Sequence, residues 1–145
     1  MAEIVVGVDG SEHSVDALRW AAREAQLRSA TLKVVASFAT PIMSTGYEMA
    51  VPDPSDLAAA SNTMLGAAID TIREEGGLEG VAVVTEALEG HAGEQLIRLS
   101  ADAELLVVGA RGHGGFLGLL MGSVTTYVVN HALCPVVVVR SSEDG

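Results

Sequence analysis

Two clusters of small and polar residues stand out as able to do chemistry. The first is Gly7-Val-Asp9-Gly10-Ser11, near the start of the chain. The second is Gly109-Ala-Arg111-Gly112-His113-Gly114-Gly115, followed after an apolar stretch by Gly122-Ser123-Val124-Thr125. Glycine lets backbone approach a ligand closely and allows positive φ, so such a run turns N–H groups toward an anion. Gly122-Ser123 reads as a helix start, whose N–H groups and dipole suit phosphate. Arg111 adds a positive charge, and the hydroxyls of Ser123 and Thr125 add donors. The chemistry on offer is a phosphate cradle.

Other readings of the same residues fit less well. A Walker-type loop needs lysine before its Ser/Thr, but Met121-Gly122 precede Ser123 and the only lysine is Lys33. The dinucleotide fingerprint fails because Gly112-His-Gly114 lacks a glycine at Leu117. His13, His91 and His131 form no metal-ligand spacing with His113. Ser11, His113 and Asp9 supply the types of a hydrolase triad, yet there is no Gly-x-Ser-x-Gly elbow. A phosphoacceptor receiver would need more acids beside Asp9 and a lysine after the last strand, where Arg140 and Ser141 stand. Cys134, before a proline and an apolar run, reads as a small core residue.

Positioning these clusters requires strands that end at them. Ile4–Val8 is a short apolar run, and Ser11 is an N-cap for a helix whose Val15, Leu18, Ala22 and Ala25 carry it to about Arg28. Leu32–Ser37 is a second strand, and residues 39–56, with Pro41, Pro52 and Pro54, read as a long irregular connection. Leu57, Ala60, Met64, Ala68 and Ile72 form a helical stripe stopped by Gly76-Gly77. Val81–Glu86 is a third strand, Ala92, Leu96, Leu99 and Ala103 a helical face, and Leu105–Val108 a fourth strand running into Gly109. A helix over about Ser123 to His131 and a last strand, Val136–Val139, complete the pattern. Continuous Val/Ile/Leu strands alternating with helices predict one α/β domain over residues 1–140, its parallel sheet covered on both faces, and a short polar tail over 141–145. In such sheets ligands bind beyond the carboxyl ends of the strands, where the two clusters lie.

The 145 residues suffice for one domain, and with only five aromatics the core must be Ala, Val, Leu and Ile. Mean hydropathy of +0.38 excludes a disordered chain. A net charge of −11 argues against general attraction to nucleic acid or anionic membrane. That charge is uneven: residues 105–140 hold no carboxylate but carry Arg111, Arg140, His113 and His131. A single cysteine fits a reducing compartment. The MAEIVVGVDGS start lacks a basic region and a long apolar stretch, and no apolar run approaches 18 residues, so a cytoplasmic protein without signal peptide or membrane span is expected.

Gly109, two residues, Gly112, nine residues and Gly122-Ser123 together resemble the ATP-binding signature of the universal stress protein family. Val-Val-Gly-Val-Asp9-Gly-Ser at the start and His-Ala-Leu-Cys-Pro-Val-Val-Val-Val near the end resemble it too, so the likeness runs from about residue 3 to 140. It implies an open parallel five-stranded sheet in the order 3-2-1-4-5, a homodimer through the strand Val136–Val139, and ATP, with Mg²⁺, at the carboxyl edge of the sheet. Carried over by position, Gly7 and Asp9 follow the first strand, and Gly109, Gly112, Gly122 and Ser123 match the phosphate and ribose motif. Val124 and Thr125 lie just inside the helix, and Arg111, His113, Gly114 and Gly115 are neighbours in the loop. The position whose backbone meets adenine falls at Ser37, where the family usually has an apolar residue. The function implied is nucleotide-dependent regulation of stress or dormancy. A slow Mg²⁺-dependent ATPase, with Asp9 near the metal, and a structural dimer that binds nothing stay open on the residues alone.

Overall fold

The computed structural model describes residues 2–39, 53–111 and 121–141. In chain order these form β1 (Glu3–Gly7), α1 (Glu12–Arg28), β2 (Thr31–Phe38), α2 (Pro54–Glu74), β3 (Val83–Glu89), α3 (Ala92–Ser100), β4 (Leu105–Gly109), α4 (Ser123–His131) and β5 (Val136–Val139). All pairings are parallel, in the order β3-β2-β1-β4-β5. The chain leaves β1 toward β2 on one side and returns to β4 on the other, so the strand order reverses between β1 and β4. That reversal opens a crevice at the carboxyl edge.

Alternation along the strands divides the core into two layers. Ile4, Val6, Leu32, Val34, Leu105 and Val107 meet Ala17, Leu18, Ala21 and Ala22 of α1 and Leu65, Ile69 and Ile72 of α2. Val5, Val35, Leu106 and Val108 point the other way, onto Leu96 and Leu99 of α3 and Val128 of α4. Ile4, Val5 and Val6 are each 0% exposed, as a central strand with helices on both sides demands. Alanine dominates the buried face of α1, which lets that helix lie close to the sheet, with Trp20 packing at its edge. Cys134 packs at the margin of the second layer, and burial pushes its thiol up, away from the reactive thiolate.

Helix ends follow from local chemistry. The Ser11 side chain caps α1 by accepting from Ser14 N–H at 3.3 Å, and Ser29 ends it in the left-handed region at φ 54°. Several boundaries differ from the sequence reading: β1 begins and ends one residue earlier, β2 runs one residue longer at each end, and Ala103, read on a helical face, lies past the end of α3 at Ser100. Two more follow from capping and pairing. Residues 53–56 belong to a helix start, not to the irregular connection: Asp53 caps α2 and Pro54 occupies its first turn, where a missing N–H costs nothing. Positions 40–52 lie outside the described residues. The third strand also runs over Val83–Glu89, not Val81–Glu86. Val81 N–H is drawn into a turn with Leu78 O at 3.1 Å, and pairing with β2 carries the strand on through Glu89, opposite Phe38. Glutamates at 86 and 89 are tolerated because β3 is an edge strand.

Candidate functional site

A cleft of about 190 Å³ lies over the carboxyl ends of β1, β2 and β4. Each strand end delivers its residues by leaving the sheet at that level. From β1 come Gly7, Val8 and Asp9; from β2, Val35 and Ser37; from β4, Val108, Gly109 and Arg111. The start of α4 adds Gly122, Ser123, Val124 and Thr125, and α1 and α3 close the sides with Ser14, Ala92 and Leu96.

The first strand turns away through a compact polar knot. Asp9 Oδ1 accepts from the Ser11 amide at 2.9 Å and from the Ser11 hydroxyl, while Asp9 N–H donates to Ser14 Oγ at 3.2 Å. Gly10 supplies the positive φ, 86°, that this reversal needs. The carboxylate is thereby held at the mouth of the cleft, in solvent.

The opposite wall is built around Gly109. A β-carbon there would sit 2.7 Å from the His13 carbonyl oxygen, so only glycine lets β4 pass this close to α1. Its carbonyl accepts the hydroxyl proton of buried Thr125 at 2.7 Å, and Gly122 N–H donates to Ala110 O at 2.8 Å. These two bonds hold the α4 N-terminus against the end of β4. Gly122 is the N-cap, with φ −71° and ψ 166°, and without a side chain it offers the first-turn amides of α4 no capping acceptor. Gly122, Ser123, Val124 and Thr125 bring those amides and the positive end of the helix dipole to the cleft.

Gly7, Asp9, Ser37, Gly109, Arg111, Gly122, Ser123, Val124 and Thr125, all singled out from sequence, thus come together in one cleft. Gly112, His113, Gly114 and Gly115 lie outside the described residues. Thr125 differs in its role. Its hydroxyl proton is committed to Gly109, which leaves Ser123 as the hydroxyl donor at this end. Sequence reasoning missed Ser14 and also Val8, Val35, Ala92, Leu96 and Val108, which form most of the apolar wall. Their signal was parity: Val35 lies two residues before Ser37 on the same face of β2, and Leu96 follows Ala92 by one helical turn. Among the described lining residues Asp9 is the only carboxylate.

Chemically the cleft has two ends. Around α4 it presents amides, a hydroxyl and Arg111 to an anion; around β2 and α3 it presents valine, leucine and alanine to something flat and apolar. The two lie on either side of β1, roughly 10 Å apart at the usual strand spacing.

Comparison with known proteins agrees with this architecture. The model of the universal stress protein family matches residues 1–140. Universal stress protein Rv2623 of Mycobacterium tuberculosis is 33% identical over 144 residues, covering 97% of this chain and 48% of that protein. The chain thus spans about half the length of the curated relatives it matches. Among solved structures, a universal stress protein in complex with cAMP superposes with a TM-score of 0.71 at 26% identity, covering 97% of this chain and 98% of the other. The Archaeoglobus fulgidus universal stress protein in complex with dAMP gives 0.69 at 26% identity, covering 96% and 98%. With the fold, strand order and nearly the whole length in agreement, the chain belongs to the universal stress protein family.

Proposed function

We propose that the cleft binds an adenine nucleotide, ATP with Mg²⁺, and that the protein works as a nucleotide-dependent regulator of stress or dormancy in the cytoplasm. The observation that carries this reading is the pairing of an uncapped helix N-terminus with an apolar wall across the β1/β4 reversal. That pairing suits a phosphate at one end and a base at the other. Similar chains whose structures are in complex with cAMP and with dAMP support it.

The residues fit the ligand. Arg111, Ser123 and the first amides of α4 would hold phosphate, while Val8, Val35 and Leu96 would flank the base. Asp9 would share Mg²⁺ with phosphate oxygens, since Mg²⁺ needs only one or two carboxylates beside them. Bound Mg²⁺ would neutralise phosphate charge. Regulation is favoured over turnover because Asp9, the only described lining carboxylate, already spends one oxygen on Ser11, and no other described lining side chain is a base for activating water.

The regulator would act as a homodimer joined through β5. Among the described residues no helix is long and apolar enough to cross a membrane.

The test is to release and identify the nucleotide carried by purified protein, then titrate ATP and GTP by calorimetry. Micromolar ATP affinity with GTP weaker is the expected result; absence of nucleotide binding sinks the reading.

A further inference from the structure

The end of β2 carries more hydrogen-bonding capacity than the sheet uses. In an extended strand a residue's N–H and C=O point to the same side, and successive residues alternate. Val35 faces β1, because its carbonyl accepts from Val8 N–H at 2.8 Å; Phe38 faces β3, because its carbonyl accepts from Gly90 N–H at 2.8 Å. Ser37 therefore faces the β1 side, two residues past the last β1–β2 pair, Gly7 with Val35. There the first strand has already left the sheet, with Asp9 N–H turned to Ser14 Oγ. Among the described residues nothing bonds the Ser37 amide, carbonyl or hydroxyl, although Ser37 is half-buried in the cleft wall. The hydroxyls of Ser14 and Thr125, by contrast, are already committed to the Ser11 and Gly109 carbonyls.

We propose that Ser37 sets the base specificity of this site, its hydroxyl bonding the edge of the base and admitting guanine alongside adenine. The inference rests on reading the cleft as a nucleotide site. A backbone N–H beside a C=O complements adenine, which offers a ring-nitrogen acceptor beside an amino donor. Guanine presents the reverse order, an oxo acceptor beside a ring N–H. A hydroxyl rotates to donate or to accept, so it serves the oxo group as readily as the amino group. An apolar side chain there would leave the guanine oxo group half-buried without a partner. The hydroxyl thus narrows the gap between ATP and GTP.

Calorimetric titration of ATP and GTP, each with Mg²⁺, into wild type, Ser37→Ala, Ser37→Val and Ser37→Thr tests this. Wild type should bind ATP ahead of GTP. Ser37→Ala and Ser37→Val should widen the ATP-to-GTP affinity ratio about three- to tenfold by weakening GTP, and Ser37→Thr should keep the wild-type ratio. Melting temperatures identify any variant that has lost its fold, and Ser37→Ala, which adds no bulk, stands in for Ser37→Val in that case. If the hydroxyl-free variants bind both nucleotides in the wild-type ratio, Ser37 has no such role and the nucleotide site stands. If wild type binds neither nucleotide, the site reading and this inference fall together.

Discussion

Thr125, in the first turn of α4, donates its buried hydroxyl proton to the carbonyl oxygen of Gly109 at the end of β4, 2.7 Å away. The bond spans 16 residues of sequence and fixes a helix start against a strand end. Thr125→Val, which keeps the shape and loses the donor, leaves the Gly109 carbonyl buried and unpaired. We expect a loss of about 1–3 kcal/mol in stability, read by denaturant unfolding, with weaker ATP binding beside it.

Gly122→Glu should abolish ATP binding while the fold survives. The residue sits at φ −71°, ψ 166°, a conformation open to any amino acid, so Gly122→Ala should melt near wild type. Glutamate would set a carboxylate beside phosphate, and unit charges about 4 Å apart repel by roughly 4 kcal/mol at an effective dielectric near 20. That corresponds to about three decades in affinity. Binding within tenfold of wild type would move the phosphate site elsewhere.

Gly109→Ala should be the more damaging glycine replacement. Its β-carbon would meet the His13 carbonyl carbon at 2.8 Å and oxygen at 2.7 Å, backbone atoms that cannot step aside cheaply. At Gly7 the nearest atoms are the flexible Leu96 methyls, at 3.2 and 3.3 Å. Unfolding should show a loss of about 1–3 kcal/mol for Gly109→Ala and less for Gly7→Ala.

If two chains pair along β5 as proposed, one outward amide should decide it. The carbonyls of Pro135 and Val139 accept from Leu106 of β4 and from Ala110 just beyond it, so the intervening even-numbered residues turn their N–H and C=O groups outward. Val138→Pro deletes an outward N–H and spares the β4 ladder. Sedimentation at tens of micromolar should find wild type dimeric and the variant monomeric; a monomeric wild type would end the idea.

Any ATP hydrolysis should stay below about 1 s⁻¹. ADP release followed over hours checks this, and faster turnover would make the protein an enzyme.

At the cap of α2, Asp53 Oδ1 accepts from Ser55 N–H at 2.9 Å and Ser55 Oγ at 2.8 Å. Those bonds, to backbone first, hold its carboxyl below the usual range. A lowered folded-state value means that the cap stabilises above the ordinary aspartate value and fades as pH falls through the depressed one. Asp53→Ala should therefore lower the melting temperature at neutral pH, with the difference from wild type shrinking in acid.

Much of this fold was legible because its signals are local. Val136–Val139 and Ser123–His131 have the bounds read from sequence, since a proline, a glycine and uninterrupted apolar runs mark them. The third strand slid because its end is set by pairing with β2, and Glu86 and Glu89 carry no local sign of a strand. The helix start at Pro54 was hidden by reading proline as a breaker when Asp53 before it made it a first-turn residue. In the cleft, the glycines and Asp9 announced themselves by type, whereas Val8, Ala92 and Leu96 are ordinary apolar residues until the sheet order gathers them. The Ser37 backbone, unpaired among the described residues, was illegible for another reason: it depends on β1 ending two residues early, which no property of Ser37 encodes.

The bond from Gly122 N–H to Ala110 O joins backbone to backbone at 2.8 Å. The tie between the end of β4 and the start of α4 therefore does not depend on which side chains stand at the two positions. Apart from proline at 122, which has no N–H to donate, substitutions there can retune the cleft while the strand and the helix keep their register.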